Sequence, residues 1–154
     1  MSGLARKFEE LRREYPAEMK ASLVVPLLQF VQQEKGCICE EDAAAIAECT
    51  GVPPIQVTEA LSWYTMLRRE KAGRHVVKVC RNISCSLRGA DRVVDHLRER
   101  LGIDVGQTSA DGRFTLLTVE CLASCGTAPA MQVNETYHEN LDVAALDRIL
   151  RELE

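Results

Sequence analysis

Val76–Cys85, VVKVCRNISC, and Leu116–Cys125, LLTVECLASC, are two apolar runs that each end in a pair of cysteines. The spacing is C-x4-C, then thirty-five residues, then C-x3-C. Valine- and leucine-rich runs of this length read as strands, so two strands can deliver Cys80, Cys85, Cys121 and Cys125 to one place. Four thiolates are the donor set of a [2Fe-2S] cluster. They also suit zinc, although zinc pairs are usually tighter C-x2-C knuckles that close on one ion. A disulfide framework is the third reading, and against it stand the odd total of seven cysteines and the lack of a secretory signal before them. Spacing alone leaves all three open, with the wider loops favouring a two-iron core.

The periodicity around these runs sets the fold class. Before the first run, apolar residues recur at helical spacing. Leu4, Phe8, Leu11 and Tyr15 mark an amphipathic helix that ends before Pro16. Ser22 to Glu34 follows with Ser22 as its cap and Gly36 as its stop. Glu40, Glu41 and Asp42 place negative charge at the start of a third helix closed by Gly51, and Pro53-Pro54 opens a fourth along Val57, Ala60, Leu61 and Tyr64. Four short helices make a small bundle. Trp63, Tyr64, Met66 and Leu67 are assigned to core packing in preference to a partner surface.

After Ala72-Gly73 the period changes. His75 to Cys80 is a strand, Gly89 to Leu101 a helix, and Phe114 to Cys121 a second strand reached through the Asp111-Gly112 turn. Strand, helix and strand form a crossover with a parallel pair. A hairpin about Asn134-Glu135 and a last helix capped by Asp142 complete the order. The expected architecture is α+β, a helical bundle over 1–72 followed by an α/β cluster-bearing domain over 73–154.

Composition excludes several classes. With 46% hydrophobic residues the chain is not disordered, and no apolar run approaches the roughly 20 residues that span a bilayer, so direct membrane insertion is not expected. The amphipathic, charged start differs from a signal peptide, which points to a cytoplasmic location. A net charge of −4 gives no support for nucleic-acid binding. The charge is nevertheless uneven: Arg68 to Arg92 holds eight basic residues against Glu70 and Asp91, +6 net, which leaves −10 for the remainder. That basic stretch encloses the first cysteine pair, where it can offset a cluster's negative charge and meet an acidic partner. No GxGxxG or phosphate-cradling loop is present, so the chain has no visible nicotinamide or flavin site.

Val79 to Cys85, the run GQTSADGRFTLLTVECLASC (Gly106–Cys125) and the following GTAPAMQVN resemble the NuoE-type subunit of respiratory complex I, NADH:quinone oxidoreductase. The resemblance covers nearly the whole chain. It implies a thioredoxin-like fold for the second half and one [2Fe-2S] cluster. Cys80 and Cys85 would ligate one iron, Cys121 and Cys125 the other, and Pro129 would shape the cluster's cover. It further implies a NuoF-like flavoprotein partner that carries FMN and oxidises NADH, and a peripheral place on the cytoplasmic side of the inner membrane within complex I. In that family the cluster lies beside the main electron path. The helical bundle and one face of the cluster module are expected to contact the flavoprotein. Where many relatives carry an apolar or aromatic residue and a proline, this chain has Cys37 and Cys39, a departure that bears on the turn rather than the cluster.

Other readings remain. Related subunits serve NAD(P)-linked hydrogenases and formate dehydrogenases. A zinc-bound interaction module is an alternative of another class, and a thiol-disulfide oxidoreductase would need a C-x2-C pair that the chain lacks. Cys37, Cys39 and Cys49 are expected to be plain thiols, and His75, His96 and His138 are given no ligand role. Ser84, Ser86, Ser124 and Thr127 are candidate hydroxyl donors to the cluster, although small turn residues need no electronic role.

Overall fold

A computed structural model describes residues 3–153, which fall into two compact units that divide between Lys71 and Ala72. In the first unit, α1 (Gly3–Leu11), α2 (Val24–Lys35), α3 (Glu40–Thr50) and α4 (Pro54–Trp63) follow one another with short connections. Leu23, Leu27, Leu28, Ile38, Ile46 and Val57 are fully buried between them, and Leu4, Phe8, Leu11 and Tyr15 cover one side. Gly36 and Gly51 end α2 and α3 in left-handed conformations, with φ of 84° and 71°, where glycine alone escapes the Cβ penalty.

Two local expectations fail here. Ser22 does not cap α2; it lies in a 3-10 turn, Lys20–Leu23, which leads directly into the helix, and Leu23 occupies the cap position without a side-chain bond. Trp63, Tyr64 and Met66 are not core residues: they are 81%, 40% and 50% exposed. The reason is the end of α4, which buries Val57 and Leu61 four residues apart and then leaves helical geometry at Tyr64. The chain turns there, with the Leu67 N–H donating to the Tyr64 carbonyl at 2.9 Å, and only Leu67 returns to the interior.

The second unit is built on a four-stranded sheet, β1 (His75–Cys80), β2 (Phe114–Val119), β3 (Met131–Val133) and β4 (Thr136–His138), in the order β2-β1-β3-β4. β1 and β2 are parallel, with His75 opposite Phe114 and Cys80 opposite Val119, as the crossover requires. β3 runs antiparallel to β1 and forms the expected hairpin with β4. Between β1 and β2 the chain makes α5 (Ile83–Leu87), which the sequence pattern does not predict, and α6 (Ala90–Leu101). After the hairpin comes α7 (Val143–Glu152), whose cap Asp142 accepts the Ala145 N–H at 2.7 Å.

Alternation along the strands sends Val77, Val79, Phe114, Leu116, Met131 and Val133 to one face, where Val93 and Leu97 of α6 and Leu146, Ile149 and Leu150 of α7 cover them. α6 and α7 thus cover a small mixed sheet, an α/β arrangement. No helix among the described residues is long and apolar enough to cross a membrane.

The entry to β1 allows no side chain at Gly73. Its N–H donates to Thr115 Oγ1 at 2.7 Å, and a Cβ there would stand 2.8 Å from the backbone of Arg113 and Phe114. Gly73→Ala should therefore destabilise the protein by about 1–3 kcal/mol as an overpacked site. Leu97→Ala, which empties a fully buried position, should cost about 2–5 kcal/mol. Denaturant unfolding of the purified variants checks both.

Candidate metal centre

The ends of β1 and β2 place the two cysteine loops side by side. Cys80 is the last residue of β1, and the Arg81 N–H continues the ladder by donating to the Val119 carbonyl at 2.9 Å. Arg81 and Glu120, which flank Cys80 and Cys121, form an ion pair at 3.6 Å. Both side chains are exposed, so the pair adds little stability, but it spans the two loops. Cys80 Sγ itself lies 3.9 Å from the Glu120 carbonyl.

Cys85 reaches the same region from α5, a single short helix whose first N–H, that of Ile83, is accepted by the Asn82 side chain at 2.8 Å. Cys125 opens a 3-10 turn, Cys125–Thr127, which packs against α5. The four thiols divide by burial. Cys80 and Cys85 are 3% and 2% exposed, packed with Ala90, Ala128, Ala130 and Leu122, whereas Cys121 and Cys125 are exposed. Ala128-Pro129, just beyond, is a cis peptide.

Backbone N–H groups converge on the sulfurs. Burial pushes the Cys80 thiol up, but N–H donors from Asn82 and Leu122 and the Cys85 thiol outweigh it, and Cys80 ends below its ordinary value. Cys85 is raised, by burial first and then by its hydrogen bond with Cys80; the Ala130 N–H opposes this, while the charges of Cys80 and Cys125 add to it. The Ala123 N–H donates to Cys121 Sγ at 3.3 Å. Donors at Asn82, Leu122 and Ala123 lie within the two cysteine loops; the Ala130 N–H lies beyond them, where no local signal points to it.

The hydroxyls go elsewhere. Ser86 Oγ donates to the Arg81 carbonyl at 2.9 Å, and Thr127 Oγ1 donates to Glu139 Oε1 at 2.6 Å. These two are therefore committed within the loops rather than free to face a cluster.

The remaining thiols and histidines sit in other surroundings. Cys39 caps α3: its N–H and its thiol both meet Asp42 Oδ2, at 3.2 and 3.0 Å, and Lys35 pairs with the same carboxylate. Hydrogen bonds to Asp42 and Glu41 hold the Cys39 thiol above its usual range. Burial raises Cys49. His96 Nε2 meets Asp147 at 2.9 Å, and His75 packs against the Phe114 ring. Among the described residues, no three histidine, cysteine or carboxylate side chains gather as ligands of one metal ion.

Ala123, inside the Cys121–Cys125 loop, has φ of 59°, a left-handed conformation. A β-branched residue fits that region worst, so Ala123→Val should lower stability by about 1–3 kcal/mol while Ala123→Gly stays within about 1 kcal/mol of the parent. Thermal unfolding of the two variants gives the comparison.

Comparison with known proteins agrees with this architecture. The chain is 39% identical over 147 residues to an NADH-quinone oxidoreductase subunit from Rhizobium meliloti, covering 96% of this chain and 86% of that one. It is 41% identical over 143 residues to NADH-quinone oxidoreductase subunit 2 from Thermus thermophilus, covering 92% and 79%. A crystal structure of an NAD+-reducing [NiFe]-hydrogenase in the H2-reduced state superposes with a TM-score of 0.76 at 20% identity, which shows a shared fold. That match covers 86% of this chain and 22% of the hydrogenase chain. The family described as thioredoxin-like [2Fe-2S] ferredoxin matches residues 8–154, and the chain belongs to that family.

Proposed function

We propose that this chain is the [2Fe-2S] electron-transfer subunit of an NADH:quinone oxidoreductase, with Cys80, Cys85, Cys121 and Cys125 as the cluster ligands. The observation that carries the reading is two cysteine loops placed side by side at the ends of a parallel strand pair, with the Ala123 N–H donating to the Cys121 sulfur. The donor set fits a two-iron core. Such a core takes two thiolates on each iron, and the chain supplies these four cysteines as two spaced pairs. Cys80 with Cys85 would hold one iron, and Cys121 with Cys125 the other. When bound, the cluster supplies one-electron chemistry at a potential set by the charge, hydrogen bonding and water access around its sulfurs.

The chain's own residues shape those three factors. Cys80 and Cys85 lie under alanines and Leu122, which exclude water on one side. Cys121 and Cys125 are exposed and give that side of the site to a partner. The N–H groups of Asn82, Leu122, Ala123 and Ala130 stabilise negative charge on sulfur. The partner in this reading is a flavoprotein that carries FMN and oxidises NADH, since hydride chemistry needs a cofactor for which this sequence has no motif. The assembly would sit on the cytoplasmic side of the inner membrane. The relatives' names, over most of both chains' lengths, favour the quinone-linked complex above a hydrogenase or formate dehydrogenase.

Metal analysis and serine replacement test the ligand set. The purified protein should carry about two irons and two sulfides per chain, with visible absorbance. Cys80→Ser, Cys85→Ser, Cys121→Ser and Cys125→Ser should each lose most of it, whereas Cys37→Ser and Cys49→Ser should retain it. A colourless protein containing zinc, or full iron in any of the first four variants, would contradict the assignment.

A further inference from the structure

The turn that carries Cys125 is tied to the segment after β4. Thr127 Oγ1 donates to Glu139 Oε1 at 2.6 Å, the Asn140 N–H donates to the Thr127 carbonyl at 2.7 Å, and the Leu141 N–H donates to the Pro129 carbonyl at 3.1 Å. Within the turn, the Thr127 N–H and hydroxyl also both face the Ser124 carbonyl, at 3.2 and 3.3 Å. The Glu139 carboxylate is held below its ordinary range by the Thr127 hydroxyl first and the Ser124 hydroxyl second. One exposed carboxylate therefore accepts the hydroxyl two residues beyond Cys125 at hydrogen-bond distance.

We infer that Glu139 is a positioning residue for Cys125, which holds the Ser124–Thr127 turn through the Thr127 hydroxyl and keeps that hydroxyl from bonding to sulfur. This inference rests on the ligand assignment above. Cys125 is exposed, a Cβ at Gly126 would meet nothing within 4 Å, and the 3-10 turn is only three residues long. The turn packs on α5, and among the hydrogen bonds of Thr127 the one to Glu139 is the shortest, so it has a large share in fixing the turn. The free hydroxyls of Ser124 and Thr127 would be the nearest side-chain donors to the Cys125 sulfur in sequence. A hydroxyl bonded to sulfur stabilises the more negative, reduced form and raises the reduction potential. Glu139 as a clamp thus lowers the potential by occupying the Thr127 donor, and its own negative charge acts in the same direction.

The two effects separate by substitution in the intact protein. Glu139→Gln keeps an acceptor oxygen and removes the charge; Glu139→Ala removes both. EPR-monitored redox titration of the cluster should show both variants at more positive midpoint potentials, with Glu139→Ala the larger. For Glu139→Ala the expected change is about tenfold in the reduction equilibrium, about 59 mV for a one-electron couple. Adding Thr127→Val, with Ser124→Ala as a second control, to Glu139→Ala should return most of the difference between the Ala and Gln variants, because the released donor is then gone. The cluster's EPR linewidth should broaden in Glu139→Ala as the turn loosens and stay at the parental width in Glu139→Gln. Equal shifts in the Gln and Ala variants, indifferent to Ser124 and Thr127, would reduce Glu139 to a remote charge and overturn the clamp. No shift in either variant would overturn it as well. Iron content of Cys125→Ser keeps the two claims apart: if that variant retains the cluster, the ligand assignment fails; if it loses the cluster while the Glu139 variants keep the parental potential, only the clamp fails.

Discussion

Parallel pairing of β1 with β2 is the constraint on which the site depends. The register sets Cys80 opposite Val119, and Cys121 follows Val119 by two residues. A slip of one residue would turn Val77, Val79, Phe114 and Leu116 away from α6 and α7 and expose the core face. The hydrophobic pattern that stabilises the sheet is thus the same pattern that aligns the two cysteine loops. Packing of the sheet works to bring the loops together whatever they hold.

From that alignment follows an asymmetric site. The first pair is enclosed by small apolar side chains, and the second pair stands at the surface. For an electron carrier the division has a physical logic, since burial on one side limits water near the sulfurs and exposure on the other allows close approach of a redox partner. The Arg81–Glu120 pair qualifies the simple picture of a basic stretch that offsets cluster charge. The cation next to Cys80 already has an anion beside it, so its field at the sulfurs is partly cancelled.

Much of the fold was legible because its signals are local. Alternation in HVVKVC marks β1, Gly36 and Gly51 mark helix ends, and Asp142 marks the start of α7. What escaped was set by contacts distant in sequence or by elements too short to show a period. α5 has five residues, too few for a 3.6-residue repeat to appear. Trp63 looks like a core residue by type, yet the stripe through Val57 and Leu61 leaves it outside. The side-by-side placement of the two cysteine loops was legible from the apolar runs that precede them. Neither the Ala130 N–H at Cys85 nor the Glu139 carboxylate at the Cys125 turn carries any signal in the sequence, because both depend on how the segment after the second loop folds back.

The central claim is that two cysteine pairs share one two-iron core, and X-ray absorption at the iron edge of the purified protein tests it most directly. The account expects each iron to have only sulfur neighbours, about four of them, with a second iron as the next scatterer. Nitrogen or oxygen bound directly to iron, or no iron–iron scattering, would contradict it.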